Sequence, residues 1–417
     1  MRKLLLLPFF TSFLFTATAQ TIENNNLVIG KVDSIHSRIL NENRKIWVYL
    51  PSSASDKNYQ KQHFPILYLL DAESHFTSVT AMIQQLSEVN GNTVIPQMIV
   101  IGIPNEDRTR DLTPTKALKG PEGKAYKMFD KSGGGEKFAA FIEQELMPHM
   151  DSLYAPAAHK TIIGHSFGGL TVMNLLVHHP QLFNHYIAID PSMWWDSRKL
   201  LKETTAALGT NKVAGKSLFV GIANTMTTEM DTADVVSDTS GTTEHLRAIL
   251  LLDKAVKNQS SSGLKYASKY YKDDSHGSVP LIAEYDALRI FYKDYGLTNA
   301  QVTELYKPES KVKVDKWLME RYKEMSQKLG YTIMPPEPFV NRAGNYFLSA
   351  KQAEKAFALF SLNLQNYPES FSAQQSMGSY YESTGDKKKA IIYYTKALAI
   401  QDNPDTMSKL KSLQKRQ

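Results

Sequence analysis

The most constraining feature of the chain is the decapeptide TIIGHSFGGL at residues 161–170. One serine, Ser166, stands between two glycines directly after a run of apolar residues. A G-x-S-x-G pattern at a strand-to-helix junction is typical of a nucleophile elbow, a turn so tight that only small residues fit beside the serine. Gly164 and Gly168 supply those small residues. The pattern therefore predicts that Ser166 is a catalytic nucleophile lifted above the edge of a sheet.

The segments around this motif alternate between short apolar runs and stretches of helical spacing. The apolar runs suit strands that are buried on both faces of a parallel sheet. They lie at 65–71, 98–104, 160–166, 186–192 and 217–224. Helical spacing appears at 136–151, 168–178 and 242–257. This rhythm predicts a doubly wound α/β domain, with an antiparallel hairpin (28–40 and 44–51) at one edge and a flap (111–135) over the top of the sheet.

The first 19 residues have the pattern of a secretory signal peptide. Arg2 and Lys3 precede an apolar run and the small-residue sequence ATA. The run is shorter than the ~20 residues that a membrane-spanning helix needs, so we expect cleavage before Gln20 and no membrane span in the mature chain. The chain has no cysteine. Export without disulfides is compatible with a periplasmic or secreted protein.

The end of the chain is helical in pattern and repeats itself. Four matched positions lie 34 residues apart, which is the tetratricopeptide period: Gly344 with Gly378, Tyr346 with Tyr380, Ala356 with Ala390, and Phe360 with Tyr394. We therefore expect an α/β domain at 20–297, a helical linker at 298–337 and a repeat domain at 338–417. Two repeats are fewer than the ~3 that a free-standing array needs, so they should pack on the helical segment 311–329 or on the α/β domain. Two roles stay open for them, covering the entrance to the site and binding a protein partner.

A nucleophilic serine needs a base, because its free hydroxyl is a weak nucleophile at neutral pH. In this fold the chain order is serine, acid, histidine. His276 follows an extended run and precedes a helical one, which places it on the loop after the last strand. The acid is expected on the loop after strand 217–224. Asp231 is favoured there, while Glu229 and Asp234 also qualify by position.

An oxyanion hole requires two backbone N–H donors. The amide of Phe167, which follows the serine, is the expected first donor. The loop after strand 65–71 offers the amides of Ala72 and Glu73 as the second.

Five side chains are candidates for binding substrate. Trp194 and Trp195 follow the strand AIDPS, where they would stack on an aromatic acyl group or a sugar, or else belong to the core. Arg108 and Arg110 would hold an anionic or catechol-bearing substrate. The alternative is pairing of Arg110 with Asp111, or with the nearby Glu106 and Asp107. His75 would line the pocket mouth.

Five stretches together resemble the putative esterase family of the α/β-hydrolase superfamily, which includes esterase D, siderophore esterases, feruloyl esterases and mycolyltransferases. They are FPILYLLDAESHF, IVIGIPNEDRTRDLTPT, IIGHSFGGL, AIDPSMWW and SHGSVPLIAEYDALR. The similarity runs from about Gly30 to Tyr295. It implies an α/β-hydrolase fold and an acyl-enzyme at Ser166, with His276 as base and then acid. Many members have glycine where Ala72 stands.

The leading hypothesis is thus a secreted serine esterase acting on a small-molecule or glycan ester, such as an acylated sugar, a feruloyl ester or a siderophore ester. An acyltransferase of the same fold is an alternative, and so is an inert scaffold that works through its helical repeats. The net charge of +6 is spread thinly, which argues against nucleic-acid binding. No cofactor is expected, and no metal-binding motif is present.

Overall fold

The computed structural model describes residues 21–23, 25–54, 63–210, 212–226, 230–307, 310 and 312–415. The predicted signal peptide lies outside these residues. A two-stranded ribbon, β1 (Thr21–Glu23) and β2 (Asn26–Val28), precedes the main sheet. No helix among the described residues is both long and apolar enough to cross a membrane.

The main sheet has eight strands. In chain order they are β3 (Lys31–Ser37), β4 (Glu42–Tyr49), β5 (Ile66–Leu70), β6 (Ile99–Ile103), β7 (Lys160–His165), β8 (His185–Ile189), β9 (Ser217–Ala223) and β10 (Lys265–Tyr271). Their spatial order is β3-β4-β6-β5-β7-β8-β9-β10. The β3–β4 and β4–β6 pairs are antiparallel and the other five pairs are parallel. The predicted strands and the edge hairpin are confirmed.

Helices cover both faces of the sheet. They are α1 (Ala72–Ser87), α2 (Arg108–Leu112), α3 (Gly135–Phe141), α4 (Met147–Tyr154), α5 (Phe167–His178), α6 (Trp195–Leu208), α7 (Thr232–Ser237), α8 (Glu244–Asn258) and α9 (Val279–Phe291). A π-helical turn, Ile142–Leu146, joins α3 to α4. The four inner strands β5, β6, β8 and β9 are buried at every position, because helices pack on both of their faces. This is an α/β-hydrolase fold.

The rest of the chain is helical. It contains α10 (Asn299–Tyr306), α11 (Val314–Leu329), α12 (Glu337–Ser349), α13 (Ala353–Asn366), α14 (Phe371–Thr384), α15 (Lys387–Ile400) and α16 (Pro404–Gln414). The last five helices pack as successive antiparallel neighbours. Helix α11 contributes Leu318, Tyr322 and Met325 to the same apolar core as α12 and α13. The expectation that the repeats pack on the segment 311–329 is therefore confirmed for its described part.

The C-terminal helices contact the α/β domain at the end of the sheet where the parallel strands begin. His159, just before β7, lies 3.1 Å through Nδ1 from the Leu329 carbonyl oxygen. Arg342 on α12 donates to the carbonyl of Gly91, beyond the end of α1, and Arg321 donates to Gly296, beyond the end of α9. Ser166 lies where β7 ends, at the opposite end of the sheet. These contacts attach α11 and α12 to the end of the domain away from Ser166.

Candidate active site

The serine occupies the turn that the sequence predicts. Ser166 comes directly after β7 and precedes α5, with φ 59° and ψ −113°. A non-glycine residue in this backbone region is strained and needs tight surroundings to hold it. A Cβ on Gly164 would lie 2.3 Å from the Gly168 carbonyl oxygen, and a Cβ on Gly168 would lie 3.0 Å from an Asp71 carboxylate oxygen. Gly164 is therefore required by the close approach of the chain, and a side chain at Gly168 would have to displace the Asp71 carboxylate.

His276 lies beside this turn and is bonded to a buried carboxylate. Its ring centroid is 4.5 Å from that of His165, the residue before the serine. Its Nδ1 is 2.6 Å from Oδ2 of Asp190, the first residue after β8. Because Nδ1 is engaged with the carboxylate, Nε2 is the nitrogen available to a serine hydroxyl. The structure thus brings His276 to the elbow, as its place after the last strand predicts.

The acid beside His276 is Asp190, and the prediction of Asp231 has to be corrected. Asp231 is the N-cap of α7, where its side chain accepts from the backbone amides of Ala233 and Asp234. The Asp234 carboxylate accepts in turn from the Asp231 amide. Both carboxylates are thereby committed to a helix cap, which satisfies N–H groups that the first turn leaves unpaired. Glu229 lies outside the described residues.

Asp190 is held as an ionised acceptor. It is fully buried, and burial alone would raise its pKa. Hydrogen bonds from His245 and His276 outweigh that effect, so the net result is a pKa well below the usual aspartate range. Its Oδ1 accepts from the Ala223 amide. The carboxylate can only accept, so both imidazoles direct N–H groups at it.

His245 is a functional-site residue that sequence reasoning missed. Its Nε2 lies 2.8 Å from the same Oδ2 atom that His276 contacts. Its position within a helical pattern suggests an ordinary helix residue, and it belongs to the first turn of α8. Nothing in its local sequence signals that β8 and α8 meet at this point.

The ligand atoms of Asp190, His245 and His276 lie within 4.8 Å of one another, close enough to surround a metal ion. Two ligands on one tetrahedral zinc ion, at ~2.0–2.1 Å each, lie about 3.3 Å apart. The two imidazole-to-carboxylate distances are 2.6 and 2.8 Å, which are hydrogen-bond lengths. The three residues therefore fit a hydrogen-bonded network better than a metal centre.

The predicted oxyanion donors begin two helices that start beside the serine. Phe167 is the first residue of α5 and Ala72 the first of α1. The first amides of a helix have no partner within the helix, and Asp71 makes no side-chain cap at α1. The Ala72 methyl lies against the bare backbone of Gly102. Alanine in place of glycine is thus accommodated on the strand side.

Arg108 is held by Asp71. Its Nε and Nη2 donate to the two carboxylate oxygens at 2.6 and 2.9 Å, and Nη2 also lies 3.3 Å from the His165 carbonyl. The guanidinium stands over the Phe167 ring. Arg108 therefore links the start of α1 to the elbow, through an ion pair with Asp71 that the sequence did not indicate. The predicted pairing of Arg110 with Asp111 is present.

The two tryptophans differ in exposure. Trp195 is 1% exposed and donates through Nε1 to the Thr115 carbonyl, so it is a core residue that also fastens the flap. Trp194 is half-buried, and its ring packs near Phe129 and Phe167. Trp194 is thus the partly exposed member of an aromatic cluster whose other two rings, Phe129 and Phe167, are buried. Phe167 directly follows the serine in the chain.

His75 turns toward a buried acid. Its Nδ1 lies 3.2 Å from Glu284 on α9, which is 1% exposed. Burial raises the pKa of Glu284. For His75 burial lowers the pKa, but the adjacent Glu284 raises it more, and the net shift is upward. The imidazole is mostly enclosed rather than open at a pocket mouth.

A profile of the family described as putative esterase matches residues 37–247. The chain belongs to the putative esterase family. It is 33% identical over 173 residues to ferri-bacillibactin esterase BesA of Bacillus subtilis, an alignment covering 39% of this chain and 59% of that one. It is 32% identical over 181 residues to the siderophore triacetylfusarinine C esterase of Aspergillus fumigatus, covering 40% and 58%. The chain thus spans less than two thirds of the length of these relatives.

A solved family structure covers more of the chain. The IroE-like serine hydrolase of Shewanella oneidensis superposes with a TM-score of 0.67 at 27% identity, over 81% of this chain and 99% of that one. An uncharacterised protein of Capnocytophaga ochracea superposes with a TM-score of 0.56 over 92% of this chain and 99% of that one, at 19% identity. The second likeness concerns the fold alone.

Proposed function

We propose that this protein is an exported serine esterase that hydrolyses a carboxylic ester through an acyl-enzyme. The observation that carries the proposal is the strained Ser166 turn beside His276, whose Nδ1 is bonded to Asp190. A carboxylate in this position fixes the tautomer of the imidazole and stabilises the imidazolium that forms during reaction. Residues 1–19 would direct export, and sequencing the N-terminus of the exported protein would check that it begins at Gln20.

The proposed reaction has two halves. Ser166 Oγ attacks the ester carbonyl carbon while its proton passes to His276 Nε2. The carbonyl oxygen becomes an oxyanion, which the amides of Phe167 and of Ala72 or Glu73 would stabilise. The intermediate then expels the alcohol, which takes the proton from His276 and leaves an acyl group on the serine. Water repeats the sequence, with His276 as base, and releases the acid.

For the substrate class we favour a siderophore ester over an acylated sugar or a feruloyl ester. Two relatives carry siderophore esterase names, and a third is named a ferri-bacillibactin esterase. The half-buried ring of Trp194, which packs near Phe167 directly after the serine, suits contact with an aromatic acyl portion. Relative kcat/KM on the three substrate classes would decide among them.

The first test is hydrolysis of short p-nitrophenyl esters by the chain from Gln20 onward. Ser166→Ala and His276→Ala should each lower kcat by at least ~10⁴-fold, because members of a triad act as a unit. A fluorophosphonate probe should label the wild-type protein at Ser166.

Ser237→Ala is the matched control and should keep wild-type turnover, since this serine is exposed at the end of α7 and, among the described residues, bonds only to backbone carbonyls of its own helix. Folded wild-type protein that neither turns over any ester nor takes the probe would contradict the proposal. The inert-scaffold alternative would then stand.

A further inference from the structure

The carboxylate of Asp190 is bonded to two imidazoles rather than one. Oδ2 lies 2.6 Å from Nδ1 of His276 and 2.8 Å from Nε2 of His245. We infer that His245 is a positioning residue, which holds Asp190 in the orientation that His276 requires. The inference rests on the proposed function, because the arrangement matters only if His276 acts as a base.

The two histidines differ in how firmly their backbones are held. His276 is 42% exposed and lies on a loop, and its neighbour Gly277 has open space around it. His245 is 18% exposed and sits in the first turn of a 15-residue helix. An imidazole on an open loop is free to turn while it passes a proton. An imidazole on a helix is held in place, and its N–H group therefore keeps the carboxylate in one orientation.

Ion pairs and hydrogen bonds around the start of α8 hold the backbone of His245 in place. Glu244, directly before His245, accepts from Arg198 Nε at 2.5 Å and is also paired with Arg247. Arg247 is nearly buried, and its Nη2 donates to the Ser240 carbonyl at 2.9 Å. The network ties α8 to both α6 and the preceding loop. The start of α8, and His245 with it, is therefore held by two elements, α6 and the preceding loop.

The chemical consequence concerns the orientation of Asp190. Asp190 is fully buried, so a lost donor cannot be replaced freely by water. Without His245, Oδ2 would keep only the donor from the exposed loop histidine, and the carboxyl group could rotate away from it. His245 itself neither receives the serine proton nor touches the ester. The loss should appear in the chemical step and leave substrate binding unchanged.

The experiment compares His245→Ala with His245→Gln in the full chain from Gln20 onward. Glutamine carries an N–H donor on its side-chain amide, close to where Nε2 of histidine lies. The alanine variant should lose about 10- to 100-fold in kcat, the range expected for one hydrogen bond to a charged group, with KM within about twofold of wild type. The glutamine variant should recover most of that loss. His178→Ala is the matched control, because that histidine pairs with an acid, Glu203, on the surface, and it should change neither constant.

Three outcomes would overturn the inference while wild-type protein is active: an alanine variant with wild-type kcat, a loss confined to KM, or a folded glutamine variant as slow as the alanine one. Thermal unfolding of each variant separates the last outcome from misfolding. A wild-type protein without activity contradicts the proposed function instead. In that case the downfield resonance of the His276 proton that is hydrogen-bonded to Asp190 would serve as the readout. If this resonance is unchanged in the alanine variant, positioning by His245 is rejected.

Discussion

At the scale of single residues, the site is built from strained backbone at the ends of three neighbouring strands. Asp71 follows β5 with φ 52°, Ser166 follows β7 with φ 59°, and Asp190 follows β8 with φ 41°. Non-glycine residues in the left-handed region cost of order 1–3 kcal/mol each and persist only where the surroundings dictate them. The three residues place the start of α1, Ser166 and Asp190 at the same end of the sheet.

Replacing Asp190, the acid that contacts His276, gives a specific prediction for a single residue. Asp190→Asn should lower kcat by about 10³- to 10⁴-fold, because an amide no longer fixes the imidazole tautomer or stabilises its positive charge. Steady-state kinetics on a p-nitrophenyl ester would measure the loss. The asparagine Oδ1 can still accept from the Ala223 amide, so the fold should be retained.

The matched variant is Asp231→Ala, at the acid that the sequence favours. It removes a helix cap and should lower the free energy of unfolding by about 1 kcal/mol while leaving kcat within about twofold. If instead Asp231→Ala lost most of the activity and Asp190→Asn kept it, the assignment drawn from the geometry would be wrong.

At the scale of elements, the two C-terminal helix pairs are built on the same contact. Gly344 on α12 faces the ring of Phe360 on α13, and Gly378 on α14 faces the ring of Tyr394 on α15. A Cβ would lie 2.5 Å from the first ring and 2.6 Å from the second. Both rings are fully buried, so neither can move aside. The matched positions that reveal a repeat in the sequence are thus the places where two helices approach most closely.

Substituting these glycines tests that packing. Gly344→Ala and Gly378→Ala should each lower the free energy of unfolding by about 1–2 kcal/mol, because overpacking costs ~1–3 kcal/mol and alanine returns up to ~1 kcal/mol of helix propensity. Urea unfolding followed by circular dichroism would measure the change. Lys388→Ala, at an exposed position of α15, is the control. Turnover should be unaffected, since these contacts lie away from Ser166, and a more stable glycine variant would contradict the contact.

At the scale of the whole molecule, the two ends of the parallel strands have different surroundings. The carboxyl ends of the strands carry the candidate site, and the amino ends contact the C-terminal helices. At the amino ends His159 and His185 are both buried, and Nε2 of His159 lies 3.3 Å from Nδ1 of His185. Burial lowers the pKa of His159 to about 4, and the pKa of His185 is also lowered, first by burial and then by the neighbouring His159.

This pair makes the attachment sensitive to acid. The ordinary histidine pKa is 6.5, so between pH 6.5 and about 4 the unfolded chain binds the proton that folded His159 refuses. The stability is present above pH 6.5 and is lost as the pH falls, by about 3 kcal/mol for His159 alone. In urea unfolding between pH 7 and 4.5, His159→Asn should flatten that dependence while His178→Ala should not. Identical slopes in wild type and His159→Asn would contradict the assignment.

The sequence by itself determined the order of strands and helices, the elbow at Ser166 and the loop that carries His276. Each of these is set by local rules: buried apolar runs, glycines required by a tight turn, and the place of a loop after the last strand. The same rules identified the helical pairs, because their repeated glycines and aromatic residues lie at a fixed spacing.

Only the tertiary structure decided which acid meets His276 and which histidine shares it. Asp190, His245 and His276 come from three distant segments, and sequence spacing contains no measure of how strand ends and helix starts converge. Asp231 lies on the loop that the chain order predicts, but its carboxylate is used by a helix cap, while Asp190 directly follows β8, the neighbour of the strand that leads to Ser166. The same limit hid the ion pair of Arg108 with Asp71, since a contact between the starts of two helices depends on distances that only packing sets.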